Sequence, residues 1–101
     1  MTDPLQQSDD LAASVQKTQN RVTLEYMESR IAGTEYINPE TVPQMTLAIV
    51  TMKNGFAVVG KSAPADPANF DVELGKKFAR EDAMRQLWGF EGFALCERLR
   101  G

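Results

Sequence analysis

Lys76, Lys77, Arg80 and Arg85 fall within ten residues of one another, in a stretch whose spacing predicts a helix. Ammonium and guanidinium groups suit phosphate oxygens, so the chemistry open to this cluster is the holding of an anion. Lys61 ends a predicted hairpin close to the start of that helix, where free backbone N–H groups near residues 66–69 could add donors. Ser62 and Asn69 flank the proline loop between the two. Their hydroxyl and amide could bond a base edge or a ribose, and they equally suit turn and cap chemistry. Among the aromatics, Tyr36 lies near a loop and is the best placed to stack on a base, and Phe56 follows the hairpin turn. Phe70 and Trp88 read more simply as core. The candidate ligand-binding set is therefore Tyr36, Lys61, Ser62, Asn69, Lys77 and Arg80. The competing reading of the cations is a solvated helix face, on which Glu73, Lys77, Glu81 and Arg85 form four-apart pairs.

Catalytic chemistry has little to work with. The 101 residues contain no histidine, which removes the commonest general base and every Ser-His or Cys-His arrangement. A single cysteine, Cys96, makes neither a disulfide nor a structural zinc site, and it reads as a buried small hydrophobe. No glycine pattern matches a P-loop or a dinucleotide fingerprint. Glu81, Asp82 and Glu91 are the carboxylates that remain. Glu81 and Asp82 are neighbours on a helix, so they point about 100° apart and do not converge on one metal. The expectation is a binding protein with no catalytic residue, no metal ligand and no cofactor, and a carboxylate-based enzyme is the distant alternative.

Fourteen acidic against eleven basic residues leave a net charge of −3, which argues against a general nucleic-acid binder. No run approaches the roughly 18 apolar residues of a membrane span, and the first ten residues lack the pattern of a secretory leader. The natural compartment is the cytoplasm.

An α+β architecture must position these groups. Residues 1–20 are polar and read as a mobile tail, followed by a single domain over 21–101. Thr23 suits a helix N-cap, Leu24, Met27 and Ile31 form one stripe, and Gly33 is a natural stop. Tyr36 and Ile37 lead into a loop carrying Pro39 and Pro43. Asn54-Gly55 between two apolar runs predicts a hairpin with a two-residue type I′ turn. That turn pairs Lys53 with Phe56, Met52 with Ala57, Val50 with Val59 and Ile49 with Gly60. Both hairpin faces are then apolar, and a second subunit is the economical cover, so the fold is expected to be completed as a homo-oligomer. Asp66-Pro67 reads as the start of a long helix reaching about Trp88, with Leu74, Phe78, Ala79, Ala83 and Leu87 as its stripe. Gly75 in its interior implies close approach of a backbone or ligand, and Gly89 is expected to break it. Residues 90–99 fit a short helix or a strand.

From Met45 onward the wording is specific. The stretches "LAIVTMKNGFAVVGKSA", "DPANFDVELGKKFAREDA" and "LWGFEGF", with "RVTLEYMESRI" upstream, resemble a family of small tailed-phage proteins named after a coliphage and a Shigella phage. Gly89 stands where proline is expected in that family, and Phe93 where tyrosine is expected. The resemblance implies an accessory protein of a phage, with no enzymatic residues to carry over. Small phage proteins of this kind often act against host defence, and one style is a sponge that sequesters a cyclic nucleotide signal without cleaving it. An anionic nucleotide is thus the expected small-molecule partner, and a module that blocks a host protein is the alternative.

Overall fold

The computed structural model of the protein describes residues 3–101, and Met1 and Thr2 lie outside the described residues. Thr23 caps its helix as its residue type demands, its hydroxyl accepting the Tyr26 N–H. The helix is short: Leu24–Arg30, here α2, buries Leu24 and Met27. The chain then runs straight into a strand, β1 (Ile31–Ile37), where sequence spacing had suggested a helix stop and a loop. β1 pairs antiparallel with β2 (Thr46–Met52), and β2 with β3 (Ala57–Ser62), giving a three-stranded sheet in the order β1-β2-β3.

The hairpin turn forms at Asn54-Gly55, but with three loop residues rather than two. Gly55 N–H donates to the Met52 carbonyl at 2.9 Å, and Met52 N–H to the Phe56 carbonyl at 2.7 Å. Within the turn Gly55 has a positive φ, 91°, while Asn54 stays out of the left-handed region and its side chain accepts the Phe56 N–H. A type I turn closed by a left-handed glycine is the usual three-residue hairpin loop. The register therefore shifts by one residue from the type I′ expectation. Val50 pairs with Val58, Ile49 with Val59 and Ala48 with Gly60. Because side chains alternate along a strand, this slip changes which β3 residues face inward. Val58 and Gly60 are buried, and Val59 is 50% exposed.

The last helix, α3 (Val72–Arg100), covers the inner face of the sheet. Asp66 caps only a 3-10 turn, Pro67–Asn69, and Asp71 caps α3 by accepting the Leu74 N–H. Gly89 does not break the helix, which continues to Arg100 and settles residues 90–99 as helical. The buried stripe is Gly75, Ala79, Ala83 and Leu87 with Met84, so Leu74 and Phe78, expected inside, are about half-exposed. Gly60 makes the closest contact between layers: a Cβ placed there would lie 2.0 Å from the Ala79 carbonyl oxygen and 2.5 Å from the Ala83 nitrogen. α3 also closes the free edge of β3. Asp82 accepts the Lys61 N–H at 3.0 Å, and the Gln86 amide donates to the Val59 carbonyl at 2.9 Å. Edge groups satisfied in this way are unavailable for pairing with another strand.

One hairpin face is thus covered from within the chain, correcting the expectation that both needed a second subunit. Ile37, Leu47, Ile49 and Val59 occupy the outer face, where Val59 is half-exposed.

Residues 3–20 also differ from the mobile tail expected over 1–20, of which Met1 and Thr2 lie outside the described residues. Pro4–Ser14 form a helix, α1, capped by Asp3. Leu5 is buried in the same cluster as Val22, Leu24 and Leu87. Asp9 ties α1 to the chain ahead of α2, accepting from Arg21 at 2.6 Å and from the Leu24 N–H at 3.1 Å. The apolar content of 1–20 is low, but one leucine and one carboxylate are enough to dock a helix whose backbone bonds are already satisfied. Removing residues 1–19 is expected to lower the melting temperature by about 8–16 °C, since burying one leucine contributes roughly 2 kcal/mol. Leu5→Ala should reproduce most of that loss. Thermal unfolding of the three proteins checks it, and an unchanged midpoint in the truncated chain would show that α1 contributes nothing.

Candidate functional site

The loop from β3 to α3 folds back over the first turns of α3 and leaves a hollow of about 240 Å³. Its walls are Ala63, Pro64, Phe70, Leu74 and Phe78, and its polar groups come from Asn69 and Asp71. An apolar cleft with few polar groups is the usual form of a small-ligand site, and this volume lies a little below the usual range of that class. The loop takes its shape from local chemistry: Asp66 accepts the Ala68 N–H, the 3-10 turn ends at Asn69, and Asp71 then starts α3. Gly75 forms part of the floor. A Cβ there would meet the Thr46 hydroxyl at 2.5 Å and the Phe70 ring at 3.3 Å. Its presence is explained by a buried threonine and a ring, in place of the backbone or ligand its position in the sequence suggested. Thr46 is itself held by Asn38, whose amide donates to the threonine hydroxyl at 3.0 Å and to the Met45 carbonyl at 2.7 Å.

The six residues singled out by sequence do not converge here. Asn69 lines the hollow and Ser62 ends the strand leading to it. Lys77 pairs with Glu81 one turn along and lies 5.6 Å from the centre of the Phe78 ring, so it flanks the hollow as a partly committed cation. Arg80 faces another way. It reaches α2, where its two terminal nitrogens donate to the two carboxylate oxygens of Glu28 at 3.1 and 2.6 Å. Those hydrogen bonds raise the Arg80 guanidinium further above its ordinary value. Tyr36 and Lys61 lie in neighbouring rows of the sheet and point to opposite faces. Tyr36 faces α3 beneath the Lys76 ammonium, 5.6 Å from the ring centre, and Lys61 faces outward.

Sequence reasoning missed Phe78 and Leu74 as surface groups, because a run of apolar residues at helical spacing does not reveal which side meets the sheet. It also missed the aromatic surface at the far end of α3. Phe90 packs edge-on against Phe56 with ring centres 5.0 Å apart, yet both remain about half-exposed. Cys96, expected inside, is exposed as well.

The pattern defining the Phage protein (N4 Gp49/phage Sf6 gene 66) family matches residues 22–99. This chain belongs to that family. The match spans the whole sheet and nearly all of α3, including the hollow and the Gly60 contact, and leaves α1 outside. Comparison with curated proteins and with solved structures found no match. Among the described residues, no three metal-ligating side chains gather, and no helix is long and apolar enough to cross a membrane.

Proposed function

We propose that this phage-family protein works in the host cytoplasm by binding without catalysis, and that it sequesters an anionic nucleotide-type signal, cyclic nucleotides being the leading class. The observation that carries this reading is the hollow beside Asn69. Phe70 and Phe78 offer faces or edges for a base, the Asn69 amide offers a donor and an acceptor, and Lys77 offers charge at the rim. Asp71 is already turned to the α3 backbone, and the phosphates would point away from it towards Lys77.

Calorimetry against cyclic di- and trinucleotides and cyclic ADP-ribose-type compounds tests it. Binding is expected, weakening as salt rises because phosphate contacts are screened. Phe78→Ala should weaken it by about ten- to a hundredfold, the range of a lost base stack, and Asn69→Ala by roughly two- to tenfold, the range of a lost neutral hydrogen bond. Arg80→Ala, with its side chain on Glu28, should change it little. Intact ligand should be recovered after denaturation. A folded protein giving no heat with any compound would sink the reading, and altered ligand would point to an enzyme.

The second reading is a module that blocks a host protein. It is favoured by the exposed aromatic surface of Phe56, Phe90 and Phe93, since large rings left in water commonly mark a contact surface.

A further inference from the structure

Along the flank of α3 that borders the edge of β3, Asp82, Gln86, Gly89, Phe93, Cys96 and Arg100 follow one another at spacings of four, three, four, three and four, the first two also bonding that edge. This is the seam spacing of a coiled coil, and from Gln86 onward the seam is exposed. Two features have no explanation within the chain. Phe93 is 69% exposed. Gly89 sits in the interior of a 29-residue helix with nothing within 4 Å of where its Cβ would be. Glycine there costs roughly 1 kcal/mol relative to alanine, with no internal contact in return. Gln86, Gly89, Phe90 and Phe93 together border an open, almost wholly apolar groove of about 490 Å³.

The seam is complementary to itself when reversed. A two-fold axis beside residue 91 and an antiparallel crossing set position 89 against 93, 86 against 96 and 82 against 100. Each Phe93 ring then enters the gap over Gly89 of the second copy, a knob in a hole made twice by symmetry. At both ends the acidic Asp82 meets the basic Arg100 of the second copy. Knob, hole, acid and base all lie on one face in an order that reads correctly in reverse. We infer that the occupant of this groove is a second copy of this chain, packed antiparallel through α3. The outer sheet face offers no comparable match: its apolar centre is Leu47, Ile49 and Val59, flanked by Glu35 and Lys61 on different rows. This inference does not rest on the ligand reading, although the same crossing would bring Arg100 of the second copy within about a turn of Phe78.

Light scattering and disulfide trapping test it on the full chain. The mass should be at least twice 11.2 kDa. Phe93→Glu and Gly89→Leu should each at least halve it. Gly89→Leu is the sharper of the two, because the space around Gly89 is open and leucine is a better helix former; circular dichroism should show the fold retained or more stable while the dimer is lost. Gln86→Cys should cross-link to native Cys96 of the second copy under mild oxidation, giving a covalent dimer, whereas Arg85→Cys should not, because position 85 lies off the seam. A monomeric wild type would overturn the inference. So would an assembly that survives both seam variants and dissociates with Val59→Lys, which would place the interface on the sheet.

Discussion

Gly60→Ala is expected to destabilise the protein by about 3 kcal/mol or more, the upper range of overpacking in a close-packed interior. The site allows no easy relief. The nearest atoms to the added methyl are the Ala79 carbonyl oxygen and the Ala83 nitrogen, both backbone atoms of α3, and the next is the Ala83 methyl. No long side chain can swing aside, so the helix itself must lift from the sheet. That movement would strain the edge bonds from Lys61 to Asp82 and from Gln86 to Val59 as well. Urea unfolding should show a lower midpoint at an unchanged slope, and the melting temperature should fall by about 12 °C or more for a domain of this size. Gly33→Ala is the control. It lies in β1 with nothing within 4 Å, and its backbone is not left-handed, so stability should hold or rise slightly. A Gly60→Ala protein as stable as the wild type would mean that α3 does not rest on the strand at this distance.

Met84→Ala should cost about 2–5 kcal/mol, the range for truncating a large buried side chain. Met84 on α3 and Met27 on α2 are the two largest side chains wholly removed from solvent, and both belong to the one buried cluster. That cluster joins α1, α2 and the sheet to α3, so a cavity there weakens every layer at once. The loss should lie within a few kcal/mol of the total stability of a chain this short, and partial unfolding at 37 °C is expected. Met84→Leu, which nearly conserves volume, should recover most of the loss. Leu11→Ala, at a position 70% exposed on α1, should change stability by less than about 0.5 kcal/mol. Chemical denaturation of the four proteins checks the order, and equal midpoints for Met84→Ala and Leu11→Ala would place the core elsewhere.

What the sequence alone determined was chiefly what short-range physics controls. The α+β class, the Thr23 cap and the turn at Asn54-Gly55 rest on short-range signals and formed where the residue types demanded, whereas Asp66-Pro67, read as the start of the long helix, capped only a 3-10 turn. Family membership was legible for a similar reason, since it rests on the order of residues along the chain.

Tertiary structure decided the rest. Asn-Gly permits either a two- or a three-residue loop, and the choice fell to the register that puts Gly60, rather than Val59, against the backbone of α3. β1 reads weakly on its own because it exists through its pairing with β2, whose partners lie beyond the intervening loop, from Ile37 with Leu47 to Ile31 with Met52. Gly89 and Gly92 permit a break that the chain does not make, because the residues on either side of them favour helix and Leu87, Trp88 and Leu95 hold that stretch to the core. The candidate site divided along the same line. Arg80 was recognisable as a cation from sequence, but its partner Glu28 lies 52 residues away, and only the packing of α2 on α3 brings the two charges together. Phosphate-binding potential belongs to a residue type, whereas a free cation is a property of the folded surface, because opposite charges brought close by folding satisfy each other before any ligand arrives.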